Sequence, residues 1–237
     1  MRRTILVGLA TALLGTTSVQ AADALTSLYS PTPAAQSFDW SGAYIGVVGG
    51  LGMWNSTFSD FDENMSYGSV DLSGWGGSLG ATMGYNVQMG SVVVGVEGDV
   101  NWSNLGASFY DNNYDAQHDR VWNWYSTLRL RAGLAQDNAL FYATAGLAAV
   151  GVDFVGDDSP PNACGDDYGY CLDETVLGLA LGGGVEMEVA DNMSVKLEGL
   201  YIGLPTSYAD DEYAGDEDAY AVSSSAFIAR AGLNWRF

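Results

Sequence analysis

The chain has 237 residues, of which 48% are hydrophobic and 31 are glycine, and it carries a formal charge of −21 at neutral pH. Such a composition is too apolar for a disordered chain and too rich in glycine for a helical one. Its acidity argues against nucleic acid, which attracts basic surfaces.

The first 21 residues, "MRRTILVGLATALLGTTSVQA", run from two arginines through an apolar stretch to Val19-Gln20-Ala21. That order predicts a secretory signal peptide cut after Ala21. The apolar run from Ile5 to Gly15 is too short to cross a bilayer as a helix. Residues 22–41 read as a leading segment, and 42–237 as one β-domain.

From there, period-two alternation bounded by turn residues recurs eight times, which predicts strands at 42–54, 74–87, 91–103, 121–135, 139–152, 175–190, 194–204 and 221–237. The second strand sets Trp75, Leu79, Ala81, Met83 and Tyr85 against Gly74, Ser78, Thr82 and Asn86. The third opposes Val92, Val94, Val96, Val100 and Trp102 to Glu97, Asp99 and Asn101. In the fourth, Trp122, Trp124, Leu128 and Leu130 face away from Tyr125, Thr127, Arg129 and Arg131. The sixth places Leu177, Leu179, Leu181, Val185 and Met187 opposite Gly178, Gly182, Gly184, Glu186 and Glu188. The polar side of the seventh carries Lys196 and Glu198, then Leu200 and Ile202, which points to a change of register there.

The connections "QMGS", "QDNA" and "ADNM" are tight turns, which join antiparallel neighbours only. They alternate with long connections at 55–73, 104–120, 153–174 and 205–220. Short and long links in strict alternation describe an all-β fold: an eight-stranded antiparallel up-and-down barrel.

Charge decides which face lies inside. Five cations (Arg129, Arg131, Lys196, Arg230 and Arg236) and five anions (Glu97, Asp99, Glu186, Glu188 and Glu198) share the polar strand faces. Confined charges need partners, so the ten residues read as a lumen network. The apolar face then meets lipid, with Trp75, Trp102, Trp122, Trp124, Phe141, Tyr201 and Trp235 near strand ends as an interfacial girdle.

Several stretches carry a family likeness: "FDWSGAYIGVVGG", "GYNVQMGSVVVGVEGDV", "RLRAGLAQDNALFYATAGLA", "MSVKLEGLYIGL" and the ending "RAGLNWRF". Across nearly the whole mature chain the sequence resembles the small porin-like outer-membrane β-barrel surface proteins of alphaproteobacteria, in the OmpA-like eight-stranded class. The resemblance implies a transmembrane barrel in the cell outer membrane, in contact with its lipid and lipopolysaccharide. It also implies that 22–41 and the tight turns are periplasmic and the four long loops extracellular. Insertion by the barrel assembly machinery is implied too, with Leu233, Trp235 and Phe237 matching the C-terminal assembly signal. It supplies no catalytic site, cofactor or metal.

Carboxylates crowd the long connections: four, three, seven and six of them in chain order. Mobile loops stay soluble and repel one another with such a charge. A sharper reading is weak binding of Ca²⁺ or Mg²⁺, bridging the loops to lipopolysaccharide. In the exported chain, Cys164 and Cys171 of "CGDDYGYC" are read as a disulfide closing a small loop. The expected function is a structural surface barrel, at most a narrow porin-like path for very small solutes, since eight strands leave a bore that side chains fill. A loop-mediated adhesin or receptor is the alternative. A hydrolase is the weaker one, because His118 in "YDAQHDR" is the only histidine and no nucleophile motif accompanies it.

Overall fold

Three two-residue turns set one end of the molecule. In each, a single residue takes the left-handed backbone: Gly90 (φ 66°), Asp137 (φ 53°) and Asn192 (φ 65°). Glycine, asparagine and aspartate are the residues that accept this conformation in hairpin turns. The turns join β2 (Val70–Met89) to β3 (Val92–Asp111), β4 (Ala116–Gln136) to β5 (Ala139–Asp157), and β6 (Tyr170–Ala190) to β7 (Met193–Gly203). The sheet begins at β1 (Gly42–Asp60) and ends with β8 (Ser207–Asp210) and β9 (Ala219–Arg236). This computed structural model describes residues 38–60, 70–111, 116–157, 170–210 and 219–237.

From β1 to β7 each strand pairs antiparallel with the next, and β1 pairs with β9 from Tyr44↔Arg236 to Asp60↔Tyr220, closing the cylinder. β7 and β8 both pair with β9, at Gly203↔Ser225 and Ser207↔Val222 respectively. They are two halves of one stave interrupted at Leu204-Pro205-Thr206, so the barrel has eight staves. The interruption falls at a proline, which cannot donate to a ladder.

Alternation along the staves separates two environments. Leu130 is 72% exposed and its neighbour Arg131 is 2% exposed. Ile45, Val47, Leu51, Leu79, Met83, Leu179, Leu181 and Leu197 all face outward. This is the inverted pattern of a barrel whose solvent is hydrocarbon and whose backbone groups are satisfied by closure.

The strands run further than the sequence predicts. β1 continues to Asp60 and β6 starts at Tyr170, so much of the expected long connections is strand. Polar and acidic residues there weaken the alternation that marks the membrane-facing part, while the ladders β3–β4, β4–β5 and β5–β6 continue through them.

One aromatic lies on the other face from that expected. Trp122 is fully buried inside the barrel rather than in the girdle. Trp122 pairs with Val152 and Trp124 with Gly151, leaving Asn123 as an extra residue. Such a bulge reverses the facing of everything beyond it. The Ser103 hydroxyl donates to the Trp122 carbonyl at 2.5 Å, and Asn123 Nδ2 donates to Asp153 at 2.7 Å.

Candidate functional site

The bore is the candidate site, and its side chains form three layers. Lowest, at the turn end, is a stopper. Trp40, which precedes the first strand, is fully buried against Val93, Leu140 and Tyr142, with Phe38 beside it. Its backbone N–H donates to Gln88 Oε1 at 2.7 Å. The Arg236 guanidinium lies 4.8 Å from both the Phe38 and Trp40 rings, within cation–π range. Arg236 also donates to the Asp39 carbonyl at 3.2 Å. The Asp39 carboxyl accepts from the Ser41 backbone N–H at 2.9 Å, which holds it below the ordinary carboxylate range. Residues 38–41, read from the sequence as part of a leading segment, thus complete the base of the barrel.

The middle layer is ionic. Cross-strand register puts Glu97 opposite Arg129, Glu186 opposite Lys196, and Glu198 opposite Arg230. Arg129 reaches three carboxylates, Glu97 at 2.6 Å and Asp99 at 2.9 Å on the adjacent strand and Glu198 at 2.6 Å across the bore. Arg230 spans Asp99 at 3.0 Å and Glu198 at 2.8 Å. Lys196 meets Glu97 at 2.9 Å, and Arg131 pairs with Glu186.

Hydroxyls and amides take up further lone pairs. Tyr44 donates to Glu97 at 2.7 Å and Tyr142 to Glu198 at 2.8 Å. Ser194 and Asn234 donate to Glu186, at 2.5 and 2.8 Å. Thr127 and Asn101 donate to Asp99, at 2.9 and 2.7 Å. Buried charges are tolerated when paired and hydrogen-bonded in this way. Glycines make room for the long cations: a Cβ at Gly232 would lie 3.0 Å from Lys196 Cγ, and one at Gly182 would lie 3.2 Å from an Arg129 nitrogen.

The upper layer is apolar. Trp54, Leu105, Trp122, Tyr125, Val150 and Val152 pack with Leu200, Ile202, Ala226 and Ile228. Leu200 and Ile202 follow Lys196 and Glu198 without any slip, so β7 keeps its register. A lumen-facing leucine signals this layer, where sequence reasoning expected a uniformly polar bore.

Nine of the ten charged residues singled out in the sequence are buried in the bore. Eight join the ionic layer, and Arg236 reaches it only at 4.0 Å from Glu186 while serving the stopper. Glu188 is half-buried at the turn end and, among the described residues, makes no ion pair. Trp75, Trp102, Tyr201, Trp235 and Phe237 face outward, as does Leu233, and Trp124 is half-buried. The missed contributors are Tyr44, Tyr142 and Trp40. The two tyrosines share the polar parity of their strands, a signal available in the sequence, whereas Trp40 precedes any periodicity. Among the described residues, no group of three His, Cys, Asp or Glu side chains is placed to hold a metal ion. His118 belongs to β4, opposite Phe109 and Gly156. Cys171 is the second residue of β6, opposite Val155. Cys164 and the tips of the acidic loops lie outside the described residues.

Comparison with known proteins gives a consistent likeness. The sequence model for the outer membrane protein β-barrel domain matches residues 9–237. The 31 kDa outer-membrane immunogenic protein of Brucella melitensis is 32% identical over 93% of this chain and 94% of its own. The 22 kDa outer membrane protein of Rhizobium leguminosarum is 28% identical over 86% of this chain and 82% of its own. Among solved structures, Neisserial surface protein A aligns at a TM-score of 0.42 with 16% identity, covering 83% of this chain and 98% of that one.

Proposed function

This chain belongs to the outer membrane protein β-barrel family, and we propose that within the outer membrane it serves as a sealed structural barrel that presents acidic loops at the cell surface. One observation carries the reading: the bore is occupied at three successive heights, by Trp40, by the ionic layer and by the apolar cluster. A hydrated ion meets an aromatic stopper, then a lattice of paired charges, then hydrocarbon. Each stage strips water and offers no continuous polar path in return. The porin-like path narrows to nothing on this reading, and the role is non-enzymatic, in keeping with relatives named as immunogenic outer-membrane proteins. Single-channel recording of the purified protein in planar bilayers tests it. The expected trace stays at the bare-membrane baseline, and long-lived, reproducible openings would overturn the sealed bore.

A further inference from the structure

Pro205 leaves β6 without a neighbour at the loop end. β7 follows β6 as far as Leu179↔Gly203. The chain then departs at Leu204-Pro205-Thr206 and resumes as β8, which pairs with β9 alone. One residue more lies between Gly203 and Ser207 than between their partners Ser225 and Val222. An extra residue of this kind bends a strand away from its former course. The wall is still closed at Gly178, where an added Cβ would lie 2.5 Å from the Gly203 carbonyl oxygen. Above that point β6 continues to Tyr170, paired with β5 without a register shift. Among the described residues, no ladder joins this part of β6 to β8.

The direction of the free backbone groups follows from the turn end. Glu188 N–H donates to the Asn138 carbonyl at 2.9 Å, so the even-numbered residues of β6 bond β5. The odd-numbered residues face the other way. Along the open edge, Leu177, Thr175, Asp173 and Cys171 therefore each turn an N–H and a C=O toward the gap. Such a row is a template for a further strand, and natural edges are commonly blunted by proline, lysine or a bulge. The stretch "CLDETVL" contains no proline or lysine, and its ladder to β5 is regular. Glu174 and Thr175 are exposed, and Leu177 is 70% exposed.

Charge selects the partner. The connections that flank this edge, 153–174 and 205–220, hold seven and six carboxylates and no lysine or arginine. A second copy of this chain would bring the same sign and be repelled. The other gap in the wall, between β2 and β3, is different. Its flanking connections, 55–73 and 104–120, hold four and three carboxylates with Arg120 among them, and Gly77 N–H already donates to Asn104 Oδ1 at 2.7 Å.

We infer that the edge of β6 from Cys171 to Leu177 is a docking site for an extended basic peptide segment of a partner protein. The segment adds as a strand beside β6. Its backbone bonds the odd-numbered residues, and its lysines and arginines meet Glu174 and the acidic connections. Outer-membrane placement of the loop end sets this edge at the cell surface, and the site does not depend on the bore being sealed.

The test uses the full-length mature protein in nanodiscs holding one copy, with fluorescein-labelled acetyl-KTRVKTRV-amide as the probe. Affinity is read by fluorescence anisotropy, and the edge by amide hydrogen exchange. The expected result is saturable binding with slowed exchange at Cys171, Asp173, Thr175 and Leu177. The same peptide N-methylated at every residue keeps its charges and loses its backbone donors. It should bind at least about 30-fold more weakly, the worth of two or more hydrogen bonds. Thr175→Pro removes one edge donor and no bond to β5, and should weaken binding about 3- to 10-fold, whereas Thr175→Val should not. Absence of binding by the unmodified peptide would overturn the proposal. So would equal binding of the methylated peptide, which would show attraction to acidic loops alone. Edge amides already protected before peptide is added would assign the edge to the chain's own loops and overturn it too. The wild-type measurements decide the matter even if a variant fails to fold.

Discussion

Replacing Arg129 with methionine removes one cation from the centre of the ionic layer while nearly preserving its volume. Three carboxylates then lose a partner held at 2.6, 2.9 and 2.6 Å, all with side chains sealed from solvent. Breaking one buried pair costs about 3–5 kcal/mol, chiefly because the remaining charge stays desolvated. The loss is not threefold that figure, since Lys196 still serves Glu97, and Arg230 still serves Asp99 and Glu198. The expected destabilisation is therefore about 3–5 kcal/mol, or roughly two to three and a half powers of ten in the folded-to-unfolded ratio. Reversible urea unfolding in lipid vesicles, followed by tryptophan fluorescence, measures it. Adding Glu97→Gln to Arg129→Met restores charge balance, so the double variant should recover at least about 1 kcal/mol relative to simple addition, as expected for coupled sites. A single variant within about 0.5 kcal/mol of wild type, or strict additivity of the two changes, would show that water rather than protein solvates these charges and would refute the reasoning.

Further outcomes follow from the same geometry. Glu188→Gln changes a strand carboxylate outside the network and should stay within about 0.5 kcal/mol of wild type in the same vesicle assay. Leu130→Arg places a cation on the lipid face near mid-height and should cost about 2–4 kcal/mol in vesicles, a penalty absent if that face met water. Trp40→Ala empties the stopper and should cost about 3–5 kcal/mol by urea unfolding, despite lying before the first strand.

The staves and their order were legible because outward Leu, Val and Met alternate strictly with inward Gly, Thr, Asn and charge between the tight turns and the upper limit of the lipid-facing band. The ionic partners were legible as a set, since few cations exist and nearly all fall on one parity. Their pairing was not, because Arg129 meets Glu198 across the bore, a contact that depends on curvature rather than on spacing. The inward turn of Trp122 rests on one extra residue, Asn123, which no periodicity announces. Trp40 was missed for a related reason: a single aromatic entering a preformed opening leaves no repeating signature. The upper apolar layer was half visible, in the lumen-facing Leu200 and Ile202.

Neighbouring staves carry much of their own counter-charge. β3 and β4 together bring Glu97 and Asp99 with Arg129 and Arg131, two of each sign. The β6–β7 hairpin sets Glu186 against Lys196, and β9 meets β7 with Arg230 beside Glu198. A partly inserted intermediate in which neighbouring staves are already paired thus brings much of its charge in balanced sets. The long-range bridges Arg129–Glu198, Arg230–Asp99 and Lys196–Glu97 then form only as the cylinder closes, so the energy of the ionic layer acts as a latch on the final step.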